Sequence, residues 1–314
     1  MCQLRCPSCP TATGAARSVI GCGVLAFDDF RRIVDDNPRI VRIELSNYGE
    51  IFLNPNLLAM MEYAYARGVS LTADNGVNLN SASDEVLEGL VRFRFDSLSC
   101  SIDGAGAETY RRYRIRGDFQ RVLDNVRKIN DLKRRYRSPY PRVTWQFVVM
   151  GHNEHEITAA RRLSQELGMR FLPKLTWDEE RFAVHDKDHV RREIGYASRE
   201  EFRTLHRRDY MHSLCQGLWD RPQINWDGKI LGCCRNFWGE FGGNAFTQGL
   251  RQAVNGEGIR YARDMLLGRR DTRPGIPCAS CDIYLNMKAT NRWLSRGPMR
   301  HMVRLGQYVA RRLG

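Results

Sequence analysis

Lysine is scarce in this chain. Only Lys128, Lys133, Lys174, Lys187, Lys229 and Lys288 occur, so nearly all of the 49 basic residues are arginine. Long apolar runs are missing as well. No stretch approaches the roughly 18 apolar residues that a membrane-spanning helix needs, so no such helix is expected. No basic segment followed by an apolar run opens the chain, so no secretory leader is expected and a cytoplasmic location is. No internal repeat or low-complexity tract is present, and nothing after Asp282 is acidic. What remains is ordinary globular material. The 314 residues are 42% hydrophobic, enough for a large buried core, and this excludes wholesale disorder.

The formal net charge is +13. A solvated, arginine-coded surface explains it, and so does an anionic partner such as a nucleic acid or an acidic peptide. Two stretches concentrate it: Lys133-Arg134-Arg135-Tyr136-Arg137 with Arg142, and the tail from Lys288 onward. In that tail Met299, Met302, Val303, Leu305 and Val309 recur at helical spacing. This predicts a basic amphipathic helix, packed on the body or lying on an anionic surface.

The chain carries 10 cysteines. In a reducing compartment such a number points to metal rather than to disulfides. Cys2, Cys6 and Cys9 form Cys-x3-Cys-x2-Cys. Three thiolates in one short loop suit a [4Fe-4S] cluster with one iron left open for chemistry. A structural zinc would want a fourth ligand close by, and none follows. Cys215, Cys233, Cys234, Cys278 and Cys281 form a second group. Cys278-x2-Cys281 is a two-ligand knuckle. Cys215 and Cys233 flank an expected hairpin with Gln223–Asn225 and Lys229–Leu231 on either side of an Asp227-Gly228 turn. Four thiolates from separate segments suit a fully ligated cluster or a four-cysteine zinc site, and spacing alone separates neither. Cys234 is either a substitute for Cys233 or a free thiol beside the centre. Cys100 is expected to pack in a strand.

Between these groups strand and helix patterns alternate. Strands are expected near Ile40–Leu45, Val69–Thr72, Ser97–Ile102, Val143–Met150 and Arg170–Leu175. Helices are expected over Phe27–Asp35, Asn56–Arg67, Asp84–Arg92 capped by Ser83, Phe119–Arg135 capped by Asp118, and Glu154–Leu167 capped by Asn153. The alternation implies parallel strands with a site at their C-terminal ends. The polar loops there are Asn47-Tyr48-Gly49-Glu50, Asp74-Asn75-Gly76 and Ser101-Ile102-Asp103-Gly104, with Gln146 on the following strand and His152-Asn153 at its end. Each alone is only a turn. Their recurrence beside the three-cysteine loop is the signal. Residues 176–213 read as a charged connector, partly helical near Ser198–His206.

These residues resemble the radical S-adenosylmethionine (SAM) superfamily over nearly the whole chain. CQLRCPSC is similar to its cluster loop, SNYGEIFLNPNLLAMMEYAYARGVSLTADNG to its second β/α unit and third strand, SLSCSIDGAGAETYRRYRIRGDFQRVLDNV to its fourth strand and helix, and TWQFVVMGHNEHEI to its fifth. The last third resembles the SPASM/twitch extension in its shorter form. The resemblance implies an α/β fold, a partial (β/α)6 barrel over 1–175 whose first strand is missing. It implies a connector over 176–213, a cluster domain over 214–285 and the basic helix over 286–314. With that strand missing, the Val41–Leu45 strand is expected at an open edge.

The resemblance also implies roles. Cys2, Cys6 and Cys9 would hold the SAM-binding [4Fe-4S] cluster, and Cys215, Cys233, Cys278 and Cys281 a second, auxiliary one. Gly49 and Glu50 would hold the SAM amino group. Asn75, Ser101 and Asp103 are candidates for its ribose or methionyl part, and Arg114 for its carboxylate. An electron from a flavodoxin or ferredoxin would cleave SAM, and the resulting radical would take a hydrogen atom from a substrate C–H bond. The implied outcome is dehydrogenation, cross-linking or epimerisation of a small polar molecule or peptide, with Cys234 as a candidate hydrogen donor. The charge motivates a different substrate, a nucleic-acid base. A zinc-stabilised or iron–sulfur binding protein without catalysis is the reading from another class.

Overall fold

The computed structural model describes residues 1–211 and 214–294. The expected tail helix around Met299–Val309 lies outside the described residues. The chain divides into two compact units, Met1–Arg207 and Arg208–Gly314.

The first unit is built on five parallel strands in sequence order: β1 (Arg42–Glu44), β2 (Ser70–Val77), β3 (Ser97–Ser101), β4 (Arg142–Val149) and β5 (Arg170–Leu175). All five stand where the apolar runs place them. Parallel neighbours need crossovers, and helices supply them: Leu57–Ala66, Asp84–Arg92, Phe119–Tyr136 and Ile157–Glu166. Ser83 accepts from Val86 N at 3.3 Å and Asp118 from Arg121 N at 3.1 Å, so both expected caps are made. Asn153 does not cap its helix. It lies fully buried, and its amide donates to the backbone oxygens of Asp103 and Val148. A short 3-10 turn, Glu154–Glu156, precedes the helix instead.

The two faces of the sheet differ. Leu71, Ala73, Leu98, Cys100, Val143, Trp145, Phe147 and Val149 form a buried apolar face, which is the core. The alternate residues, Thr72, Ser99, Ser101, Thr144 and Gln146, form a polar face, as the period of two in a strand requires. β1 pairs with β2, and its other edge meets no strand among the described residues. Arg42 and Glu44 are exposed there, charges that discourage edge-to-edge pairing. Residues after β5 continue in the first unit as the helices Glu179–Phe182, Lys187–Ile194 and Arg199–His206.

In the second unit, a short antiparallel hairpin closes at Gly228. Ile224 bridges Ile230, and Asn225 N donates to Lys229 O at 2.9 Å. Gly228 is required by conformation and by space. Its φ is +88°, and a Cβ there would stand 2.3 Å from Asn244 Oδ1. The helices Glu257–Leu266 and Asp282–Ala289 complete the unit, with the Pro277–Ser280 turn carrying Cys278. No helix among the described residues is long and apolar enough to cross a membrane.

Candidate active site

The three-cysteine loop sits at the C-terminal ends of the strands. Cys2, Cys6 and Cys9 pack in one small cluster with Leu4, Tyr113, Met150, Val148 and Phe182. Cys9 N donates to Cys6 O at 3.1 Å, and Arg5 N donates to Ile115 O at 3.1 Å, which ties the loop to the turn after the Ala107–Tyr113 helix. Ser8 Oγ donates to Asp178 Oδ2, just beyond β5. The loop is therefore held from both sides. Burial, with the nearby Glu50 carboxylate, pushes the Cys2 thiol up to about 11, and burial pushes that of Cys6 up.

Gly49 and Glu50 lie against this loop. Glu50 N donates to Met1 O at 2.8 Å. A Cβ on Gly49 would stand 2.6 Å from Met1 O, so only glycine lets the two segments approach this closely. The Glu50 side chain is 8% exposed. Its carboxylate accepts from Phe52 N at 3.2 Å, from Asn78 N at 2.8 Å and from the Asn78 amide. Burial pushes its carboxyl up to about 7, against the lowering effect of those backbone donors.

Asp103 and Arg114 form the second half of the site. Asp103 is 0% exposed. Its Oδ2 takes Arg114 Nε at 2.6 Å and its Oδ1 takes Val148 N at 2.8 Å. Arg114 Nη1 points to Cys6 Sγ at 3.6 Å. The carboxylate that Arg114 meets here is thus Asp103, and the guanidinium is presented to the cysteine loop. Ser101 ends β3 in register with Gln146. A Cβ on Gly76 would fall 2.6 Å from Ser101 Oγ.

Asn75 is exposed and bonds to Ser46, with Nδ2 donating to Ser46 O at 2.8 Å. β2 does not end at the Asp74-Asn75-Gly76 triplet. An irregularity between Ala73 and Val77 absorbs it, Gly76 takes φ +126°, and the strand runs on to Val77. The polar loop therefore begins later, with Asn78 and Asn80. Asn78 Oδ1 accepts from Gln3 Nε2 at 2.8 Å, and Asn80 Nδ2 donates to Tyr110 Oη at 3.1 Å. Sequence reasoning passed over both. Their alternation after Val77, Asn-x-Asn, was the available signal.

The second unit holds Cys215, Cys233, Cys234, Cys278 and Cys281. Cys215, Cys233, Cys278 and Cys281 line one pocket whose remaining walls include Leu218, Trp238, Phe241 and Tyr284. Burial pushes the Cys215 thiol up to about 11 and raises those of Cys233, Cys278 and Cys281, with neighbouring thiolates adding to it at Cys215, Cys233 and Cys278. Cys233 lines the pocket while its neighbour Cys234 is exposed. No disulfide joins any of the ten cysteines. Among the described residues, no three His, Cys, Asp or Glu side chains converge on the position of a lone metal ion.

The model of the radical SAM superfamily matches residues 1–163. The chain belongs to the radical SAM superfamily. Membership implies a [4Fe-4S] cluster and SAM. The donor set of the first unit fits them, since the thiols of Cys2, Cys6 and Cys9 pack in one cluster and a cation, Arg114, suited to thiolate charge, reaches Cys6. Over 170 residues the chain is 31% identical to the AdoMet-dependent heme synthase of Methanosarcina barkeri. That match spans 53% of this chain and 45% of the relative, under half of its length. Among solved structures, SuiB of Streptococcus suis bound to S-adenosylmethionine superposes with a TM-score of 0.59 at 14% identity, over 90% of this chain and 68% of SuiB. anSMEcpe with bound AdoMet gives 0.57 at 13% identity, over 90% and 84%. A complex of SuiB with its precursor peptide SuiA gives 0.58 at 13% identity, over 90% and 67%. At these identities the radical SAM likeness to the solved structures is one of fold.

Proposed function

We propose that this chain is a two-cluster radical SAM enzyme that abstracts a hydrogen atom from a peptide or small polar substrate, with oxidoreductase or epimerase outcome. The observation that carries the reading is the contact between the Gly49-Glu50 turn and the start of the three-cysteine loop. Cys2, Cys6 and Cys9 would hold the SAM-binding cluster, and Cys215, Cys233, Cys278 and Cys281 the second one. Cluster and SAM together supply a one-electron route to an oxidising radical that takes hydrogen from unactivated carbon.

The protein's own part is positioning. Glu50 is fixed by three donors, so its carboxylate is oriented before an ammonium group of SAM arrives. Asp103 locks the Arg114 guanidinium, which keeps donors free to face a carboxylate. Leu4, Tyr113 and Met150 bury Cys6. Four cysteines lining one pocket support a four-thiolate metal centre in the second unit. A peptide substrate draws support from the fold shared with SuiB, which has been seen with its precursor peptide.

The test is anaerobic reconstitution with iron and sulfide, followed by SAM and dithionite. About eight irons per chain and release of 5′-deoxyadenosine are expected, four for each cluster. Zinc in place of iron, or no cleavage product, would overturn the reading.

A further inference from the structure

The four-cysteine pocket of the second unit has a buried floor and a more exposed rim. Leu218, Leu266, Tyr284 and Cys278 are buried and make the floor. Cys233 and Cys281 are half-buried, and Trp238, which lines the same pocket, is 39% exposed. Anything that enters a site of this kind needs a path, and the rim is where solvent stands.

The two segments that carry the rim, 233–239 and 277–282, are tied together at two points. At one, Trp238 Nε1 donates to Pro277 O at 3.0 Å, and a Cβ on Gly239 would stand 3.1 Å from Pro277 Cγ. At the other, Arg235 Nη2 donates to Asp282 Oδ1 at 2.8 Å and to Oδ2 at 2.7 Å. Arg235 follows Cys233 by two residues, and Asp282 follows Cys281 directly. Both partners are held in place. Asp282 Oδ1 also accepts from Ile283 N at 2.9 Å, in the first turn of the Asp282–Ala289 helix. Beside Arg235, the buried Asn236 donates its amide to Leu231 O and Gly239 O at 2.7 Å each. Less side-chain and backbone freedom is lost here than in an ordinary surface pair. The Asp282 side chain is nevertheless 70% exposed, so water and salt reach the bond.

We propose that Arg235 and Asp282 form a latch across the rim of the second centre. Closed, it keeps the Cys233 and Cys281 segments together and retains the cluster. Open, the segments part about the Trp238–Pro277 contact and admit iron and sulfide. A single ion pair within reach of solvent suits this task, because it is weak enough to break and quick to re-form. The proposal rests on the functional reading above, in which these cysteines are ligands. Arg235 and Asp282 are positioning residues, and no covalent bond is made or broken at them.

The experiment follows anaerobic iron release from the reconstituted full chain to a chelator. Wild type is set against Arg235→Gln, Asp282→Asn and the double variant. The second centre's iron should leave about fivefold faster from each single variant, and no faster still from the double one. Arg235→Lys should restore slow release, because one nitrogen, Nη2, makes both contacts. Added salt should speed release from the wild type and leave Arg235→Gln unchanged. The metal-free chain gives a second readout, alkylation by iodoacetamide mapped by mass spectrometry. Cys233 and Cys281 should react faster in Arg235→Gln than in wild type, with the exposed Cys22 unchanged. Loss of a nearby cation disfavours the reactive thiolate, so faster reaction there reports access and not charge. The latch is overturned if the variants release iron at the wild-type rate, if the two single effects add in full, if Arg235→Lys fails to rescue, or if alkylation of Cys233 and Cys281 is unchanged or rises equally at Cys22. Alkylation needs no cluster. A wild-type chain that never takes up the second centre's iron overturns the functional reading, while the alkylation rates still decide whether the latch closes the rim.

Discussion

Asp103 holds Arg114 at 2.6 Å from a position with no solvent exposure, and the guanidinium it fixes points at Cys6. A buried pair of this kind is weak evidence of net stability, but breaking it leaves a charge uncompensated. Asp103→Ala should therefore destabilise the first unit by about 3–5 kcal/mol, read from urea unfolding. The double variant with Arg114→Leu should recover part of that loss, because the orphaned charge is gone. A double variant as unstable as the sum of the two single ones would show that the pair is not coupled.

Glu50 and Asn78 should act as one unit. Glu50→Gln removes the charge and should weaken SAM binding about tenfold or more, the worth of one charge-assisted bond. Asn78→Ala should weaken it by less, since the Asn78 backbone still donates at 2.8 Å. The two effects should be strongly non-additive in equilibrium SAM binding to the reconstituted chain. Simple additivity would separate Asn78 from the role given to Glu50.

Much of this was legible before any coordinates. The five strands stand where apolar runs place them because a parallel sheet buries one whole face, and Ser83 and Asp118 cap as read. Cys2, Cys6 and Cys9 cluster because they share one short loop. The misreadings came from residues whose local preference lost to tertiary contacts. Asn75-Gly76 has turn chemistry, yet β2 absorbs it as an irregularity and moves the polar loop to Asn78. Asn153 has cap chemistry, yet its amide is taken by Asp103 O and Val148 O.

The hairpin in the second unit offers a local test. Gly228→Ala forces a Cβ against Asn244 in a left-handed conformation, at a cost of about 1–3 kcal/mol. It distorts the segment that leads into Cys233. Iron bound by the second set of cysteines should be lost on mild heating before that of the first, as followed by iron release in two phases. Release in a single phase unchanged from wild type would mean the hairpin does not support the second centre.

The second set can also be removed outright. Cys278→Ala with Cys281→Ala should leave about four irons per chain, one cluster's worth. SAM cleavage without substrate should persist, because the residues assigned to it all lie in the first unit. Loss of all iron would mean that the two centres are not independent.

The central claim is that Cys2, Cys6 and Cys9 hold the cluster at which SAM is cleaved. The most direct measurement is 5′-deoxyadenosine formation by anaerobically reconstituted chain under dithionite, wild type against the variant with all three changed to alanine. The account expects product from the wild type, none from the variant, and a loss of about four irons that leaves the second centre filled. Product from the triple variant, or iron content unchanged by it, would contradict the account.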